Sequence, residues 1–246
     1  MNSTASKQIL FVFGKYPVIG RVKTRLASSI GDSAARQLYE GFLADAACKF
    51  VMSQEVGSFE IKWVYTPSQS AFPQLIMSTQ SRCAGQVAEG ILADETLFIG
   101  SDIDAIGTLQ EIQLDWARQY GYEMAVIVGT DTPQINRKIL NDAFDRLKSH
   151  DVVIGPSTDG GYYLLGVKKI WDILAGIDMS TKHVVDDIIM KASVTGKNVG
   201  FVETLTDIDD WDDLALLIKM LAETDGKPCP ATWASLQTLG LAKLRA

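Results

Sequence analysis

Four short stretches of the sequence carry residue types and spacings that could do chemistry. The first is Gly14-Lys15-Tyr16-Pro17-Val18-Ile19-Gly20-Arg21-Val22-Lys23-Thr24-Arg25. Its glycines let backbone N–H groups approach a ligand, and a helix start just beyond would add partial positive charge. Lys15, Arg21, Lys23 and Arg25 supply formal charge suited to a diphosphate. It is not a Walker A loop, since no GxxxxGK[ST] is present, and a basic surface turn without a ligand would have the same composition. The second is Gly129-Thr130-Asp131-Thr132-Pro133. An Asp at the end of a strand, in a loop pinned by Pro, is placed to hold Mg²⁺ or Mn²⁺ against phosphate oxygens. The same residue could simply cap a helix.

The third stretch is Asp159-Gly160-Gly161-Tyr162. Paired glycines would let a substrate approach the backbone, with Asp159 free as a base or hydrogen-bond acceptor; a plain hairpin turn reads the same way. The fourth is Asp207-Ile208-Asp209-Asp210-Trp211-Asp212-Asp213. Carboxylates this dense repel unless a cation or solvent screens them. A second metal-ligand position falls on Asp207 or Asp209, while Asp212 and Asp213 fit better as acids at a helix start.

These stretches need elements to position them. Ile9-Leu10-Phe11-Val12-Phe13 and Ala125-Val126-Ile127-Val128 are unbroken apolar runs, as expected of strands buried on both faces. Ile61–Tyr65, Leu97–Ile99, Val152–Ile154 and Tyr162–Val167 read as further strands. Asp32 and Ser33 can cap a helix whose apolar residues recur from Ala34 to Phe50. Helices are also expected over Leu109–Tyr120 with Gly121 as the stop, over Ile139–Leu147, Val184–Ala192 and Leu214–Leu221, and within Trp233–Leu244. Alternation of strands and helices without a linker predicts one α/β domain over residues 1–246, three layers deep (α/β/α), around a mostly parallel sheet. Ligands of such sheets sit beyond the carboxyl ends of the strands.

Bulk properties narrow the partners. The 246 residues are 47% hydrophobic and 22% charged, enough to bury a sizeable core. The net charge of -7 argues against nucleic acid, which needs a basic surface. No acidic residue precedes Asp32, whereas Lys7, Lys15, Arg21, Lys23 and Arg25 do, so a small anion suits this patch better than a polymer. Cys48, Cys83 and Cys229 are odd in number and form no CxxC pair, so neither a disulfide framework nor a zinc knuckle is expected. The N-terminal apolar run is too short for a secretory signal, and no stretch approaches the ~18 apolar residues of a membrane span, so the chain reads as cytoplasmic. His183 and Asp187 lie one helical turn apart and could share a metal, or form a solvated helix face.

At these residues the chain resembles the bacterial rSAM/selenodomain-associated transferase 1, or arsenosugar-biosynthesis-type, glycosyltransferases. The matching stretches are FGKYPVIGRVKTRLASSIG, VIVGTDTPQI, VVIGPSTDGGYYLLGV and LTDIDDWDDL, between about residues 8 and 217. The first is also similar to phospholactate guanylyltransferases, and the late Asp-Ile-Asp to several cytidylyltransferases. The resemblance implies the glycosyltransferase-A fold of nucleotide-diphospho-sugar transferases. It implies that Gly20, Lys23 and Arg25 contact nucleotide phosphates, that Asp131 is the metal aspartate, and that Asp159, Gly160 and Gly161 line the acceptor side. Gly107-Thr108 falls where related enzymes hold the base with a Gln…Gly-Thr element, with Ser101 near the Gln place. Where the family tends to show Pro-Trp-Ser-Thr, this chain has Asp178-Met179-Ser180-Thr181.

The expected nucleotide- and substrate-binding set is therefore Gly14, Lys15, Gly20, Arg21, Lys23, Arg25, Gly107, Thr108, Gly160, Gly161 and Tyr162. Asp131 and Asp209 hold Mg²⁺ or Mn²⁺, and Asp159, Lys23 and Arg25 act in catalysis. Three functions fit: glycosyl transfer from a nucleotide-sugar to a small acceptor, nucleotidyl transfer from an NTP to a phosphorylated small molecule, and nucleotide binding without turnover. A homo-oligomer is left open.

Overall fold

In β1 (Gln8–Lys15), Leu10 and Val12 point to one side of the sheet and Ile9, Phe11 and Phe13 to the other, all buried. A strand covered on both faces has no polar side to show, which is why it reads as a continuous apolar run. The computed structural model describes residues 7–56, 59–83, 97–179 and 181–243. Ser180 of the Asp178–Thr181 stretch, Leu244 of the expected last helix and the first six residues lie outside them.

Among the described residues, six further strands join β1: β2 (Phe59–Thr66), β3 (Phe98–Gly100), β4 (Met124–Gly129), β5 (Val152–Pro156), β6 (Tyr162–Lys168) and β7 (Val199–Phe201). Their order is β3-β2-β1-β4-β6-β5-β7, parallel throughout except for β6, which runs antiparallel to β4 and β5. Among the described residues, eight α-helices lie on the two faces. On the Leu10/Val12 side pack α1 (Thr24–Ile30), α2 (Asp32–Val56), α3 (Phe72–Cys83), α5 (Arg137–Leu147), α7 (Trp211–Glu223) and α8 (Pro230–Thr238). On the Ile9/Phe11 side pack α4 (Ile106–Gln119) and α6 (Val184–Val194). The expected three-layer α/β arrangement is thus what the chain adopts. Large side chains such as Trp63, Phe42 and Phe72 are almost wholly buried, each worth about 1.5–3 kcal/mol of transfer free energy.

The chain leaves β1 for β2 on one side and later enters β4 on the other, so the strand order reverses between β1 and β4. A crevice opens at such a point because the two following loops diverge. Those loops are the basic one after β1 and the Asp131 one after β4.

Three elements were not foreseen. Helix α1 has seven residues, too few for a periodicity to emerge. Helix α3 buries Thr79 and Gln80 beside Phe72 and Ile76, so polar residues occupy part of its inner face. Strand β7 has three residues at a sheet edge. The cysteine expectation also needs correcting: Cys48 of α2 and Cys83 at the end of α3 form a disulfide. They are 35 residues apart and meet only because the two helices pack together. Among the described residues, no helix is long and apolar enough to cross a membrane.

Candidate active site

One buried phenol fixes the mouth of the crevice. Tyr39 of α2 accepts a hydrogen bond from the Lys15 N–H (2.9 Å), and its hydroxyl lies 3.0 Å from Thr130 Oγ1. Thr130 N–H in turn donates to the Phe13 carbonyl (3.1 Å). The end of β1 and the loop after β4 are thereby tied together. Burial, and then the charge of Asp131, hold the Tyr39 hydroxyl well above its ordinary pKa.

Beyond Lys15 the chain turns at Gly20 (φ 71°) and reaches Lys23, which caps α1 with φ 48° and ψ 45°. A left-handed lysine costs on the order of 1 kcal/mol. The conformation carries its side chain inward. Its ammonium lies 2.9 Å from Asp131 Oδ2 and 3.0 Å from Asp209 Oδ1, with 3% of the side chain exposed. Burial alone would lower the ammonium's pKa, but Asp131, Asp207 and Asp209 together outweigh it and raise it well above the usual value.

One main-chain bond and one side-chain bond bring the late acidic stretch here. Ile208 N–H donates to the Asp131 carbonyl (3.1 Å), and Thr132 Oγ1 donates to Asp207 Oδ1 (2.9 Å). Asp131, Asp207 and Asp209 then each offer a carboxylate oxygen within 4.8 Å of the others. Burial, and then the Asp131 charge, push the Asp207 carboxyl up to about 7. Burial pushes Asp209 the same way, but Lys23 and the ion-paired Arg25 overcome it and leave that carboxyl below the ordinary range. Asp210 and Asp213 do something else: they form a reciprocal capping box at the start of α7.

The crevice is a cavity of about 890 Å³. Gly14, Lys15, Arg21, Lys23 and Arg25 line it together with Asp131, Asp207 and Asp209. Asp159, Gly161 and Tyr162 line it as well, with Met179, Thr181 and Lys182. Asp159 Oδ1 accepts from the Gly161 N–H (3.0 Å), which orients the carboxylate. Tyr162 donates its hydroxyl to Gln110 Oε1 (2.5 Å), and burial holds its pKa above the ordinary value.

Four expected residues fall outside the lining. Gly20 is exposed in its turn. Gly107 and Thr108 lie in the first turn of α4, where Ile106, Leu109 and Gln110 face the cavity instead. A Cβ on Gly107 would come within 2.6 Å of Met179 Cγ. Gly160 has φ 92°, and a Cβ there would lie 2.1 Å from the Lys182 carbonyl oxygen. These last two glycines answer to packing. His183 does not meet Asp187 through its ring; it faces Asp186 at 3.7 Å on an exposed surface. Tyr39, Thr132 and Gln110 were missed, because buried polar residues inside helices and loops carry no local signal. The sequence set no distinction between Asp207 and Asp209, and both lie in the carboxylate cluster with Asp131.

A family model described as "Uncharacterized protein conserved in bacteria (DUF2064)" matches residues 45–181, more than half of the chain. The chain belongs to this family. The matched segment contains Asp131 and Asp159 but neither the basic loop nor Asp207 and Asp209. Among solved structures the chain is similar to a protein from Desulfovibrio desulfuricans G20, provisionally named a nucleotide-diphospho-sugar transferase, at 24% identity over 98% of each chain with a TM-score of 0.80. It is also similar to a 4-diphosphocytidyl-2C-methyl-D-erythritol synthase from Anaerococcus prevotii DSM 20548, at 8% identity over 88% of this chain and 98% of that one, TM-score 0.51. At these identities the shared property is the fold. No curated protein matches the chain.

Proposed function

We propose that the whole chain is one transferase domain that uses a nucleotide-activated donor with a divalent metal, and that it transfers a glycosyl group from a nucleotide-sugar to a small acceptor. The observation that carries this reading is the meeting of the basic loop, through Lys23 and Arg25, with the Asp131/Asp207/Asp209 triad in the lining of a single cavity. The triad offers only hard oxygen donors from carboxylates, the set that suits Mg²⁺ or Mn²⁺ and leaves coordination places for phosphate oxygens. Within the family we place the chain with the rSAM/selenodomain-associated transferase 1 type, on the strength of its Asp159-Gly160-Gly161-Tyr162-Tyr163-Leu164-Leu165-Gly166 stretch.

Lys15 and Arg21, exposed and without an ion pair among the described residues, would hold the donor's diphosphate. A divalent ion on the triad would neutralise the charge that collects on the departing nucleoside diphosphate. Asp159, oriented by the Gly161 N–H, would take the proton of the acceptor hydroxyl as its oxygen bonds to the anomeric carbon and the bond to the diphosphate breaks. Arg25, ion-paired with Asp209, would steady that carboxylate.

Nucleotidyl transfer to a phosphorylated small molecule is the second reading, favoured by the charge density between Lys15 and Arg25. The structure weakens that argument, since Lys23 and Arg25 are already engaged by carboxylates. Two unengaged cations suit a diphosphate better than a triphosphate.

Thermal shift against nucleoside triphosphates and nucleotide-sugars, with and without Mg²⁺ or Mn²⁺, tests the choice. A cognate donor at 100-fold over Kd stabilises by about 2.7 kcal/mol, and the effect should require metal. A response to triphosphates alone moves the assignment to nucleotidyl transfer. A response to neither removes both readings.

A further inference from the structure

We propose that the Lys23 ammonium is the resident cation of the acidic triad, and that it must swing out, toward the donor phosphates, before a divalent ion can enter. This rests on reading the triad as the metal-holding part of the cavity.

The geometry leaves little room for both. The three carboxylates each present an oxygen within 4.8 Å of the others. An Mg²⁺ or Mn²⁺ bound among them would sit about 2.1 Å from its oxygens, inside the space that they bound. The Lys23 ammonium already bonds two of the same three carboxylates, at 2.9 and 3.0 Å. A dication there would face a full positive charge at close range in a partly buried place, where such repulsion is poorly screened.

Charge balance points the same way. Three carboxylates against Lys23 and Arg25 leave one negative charge, so the cluster is nearly neutral without a metal. A dication alone would turn that one negative charge into one positive charge, and the two charges of a nucleotide-sugar diphosphate would return the cluster to one negative. Metal and donor should therefore arrive as a pair, with the ammonium passing from carboxylate to phosphate.

The chain is built for that exchange. Lys23 holds a left-handed backbone, a conformation that favours glycine, and contributes no side-chain cap to α1. What the lysine supplies at this position is its ammonium. Its four-carbon stem can swing without moving the helix, and Lys15 and Arg21 line the same cavity as Lys23. Asp131, whose side chain is 42% exposed, marks the open side of the triad.

The test is Mn²⁺ affinity of the nucleotide-free protein, followed by electron paramagnetic resonance, in wild type, Lys23→Met and Lys23→Gly. Glycine accepts the left-handed backbone, so this variant removes the charge and the strain together. Both variants should bind Mn²⁺ at least about tenfold more tightly than wild type, because a competing unit charge beside the ion is gone. A merely structural lysine predicts the reverse, since its loss would loosen the carboxylates. Unchanged or weaker binding in both overturns the proposal. Should neither variant fold, reductive methylation of wild type, mapped by mass spectrometry across an Mn²⁺ titration, gives the answer. Lys23 should react slowest without the ion and faster as Mn²⁺ is added; a rate that never rises overturns the exchange. The thermal shifts with nucleotides are read separately. A protein that binds nucleotide but shows no effect of Lys23 on Mn²⁺ loses only the exchange, whereas one that binds no nucleotide loses the transferase reading.

Discussion

Asp207 and Asp209 direct their oxygens at Thr132, Lys23 and Arg25, whereas Asp210 and Asp213, in the same short run, direct theirs at backbone N–H groups opening α7. Asp210 Oδ1 accepts from Asp212 N–H at 2.9 Å and Asp213 N–H at 3.2 Å. Asp213 Oδ2 accepts from Asp209 and Asp210 N–H at 3.0 and 3.2 Å. A carboxylate on backbone donors at a helix start is at rest: its partners would otherwise be orphaned. Asp207, crowded by Asp131 and Asp209 in a buried place, is instead held above its ordinary pKa, while Asp209 is settled by the cations of Lys23 and Arg25. One run of acids thus serves two ends, divided by which side chains each can reach.

The hardest blow to this division is Asp131→Asn set against Asp210→Ala. The first should lower kcat/KM by about 10³-fold, since a metal contributes several kcal/mol to stabilising charge in the transition state. The second should change it less than about twofold, because a surface cap acts on stability. Circular dichroism should show both folded. Equal losses in the two variants would erase the distinction between the acid groups.

A sharper version uses pH. Burial and the Asp131 charge raise the Asp207 carboxyl to about 7 in the metal-free fold, against an unfolded value near 3.9. The folded state therefore binds more protons than the unfolded one between those values. Its contribution to stability is greatest below about pH 4 and is lost as pH rises to about 7. A metal needs the carboxylate, so Mn²⁺ affinity should gain about 100-fold between roughly pH 5 and pH 8 and level off above. An affinity that is flat over that range would place Asp207 outside the ligand set.

The same group gives a third, smaller effect. Asp207→Asn keeps an acceptor for Thr132 Oγ1 while removing one of three crowded charges. At about pH 8 and without metal, the variant should be more stable than wild type by about 1–2 kcal/mol by urea unfolding, while its Mn²⁺ response disappears. Destabilisation instead would show that Lys23 depends on Asp207 more than Asp131 repels it.

How much of this could be read from the residue order varies with the range of the cause. β1 and β4 were legible because burial on both faces leaves an unbroken apolar signature, and Asp131 followed as the residue just past such a strand. The three-layer arrangement came from the alternation of such runs with amphipathic ones. What failed depends on distant partners. Choosing among Asp207, Asp209 and Asp210 requires knowing that Thr132 lies beside one, Lys23 beside another and only backbone amides beside the third. Lys23 read as a free phosphate ligand because nothing local shows that its ammonium is buried between carboxylates. Gly160 and Gly161 look alike in sequence, yet a carbonyl from residue 182 fills the space over one while the other faces the cavity.

Asp210→Ala is the mildest change and the one that could still overturn the division. Loss of the N-cap costs about 1 kcal/mol, which in a chain of this length lowers Tm by about 2–4 °C. Mn²⁺ affinity should not move, because Asp209 is held by Lys23 and Arg25 through its side chain. Asp209 is also held through its main chain, however, by its N–H to Asp213 Oδ2 (3.0 Å). If that bond sets the position of the Asp209 carboxylate, freeing the start of α7 will weaken the metal together with the helix. A Tm loss with constant Mn²⁺ affinity means that the cap and the triad are independent. A loss in both, in proportion, means that the cap of α7 positions the second metal-ligand carboxylate, and the two acid groups are one device.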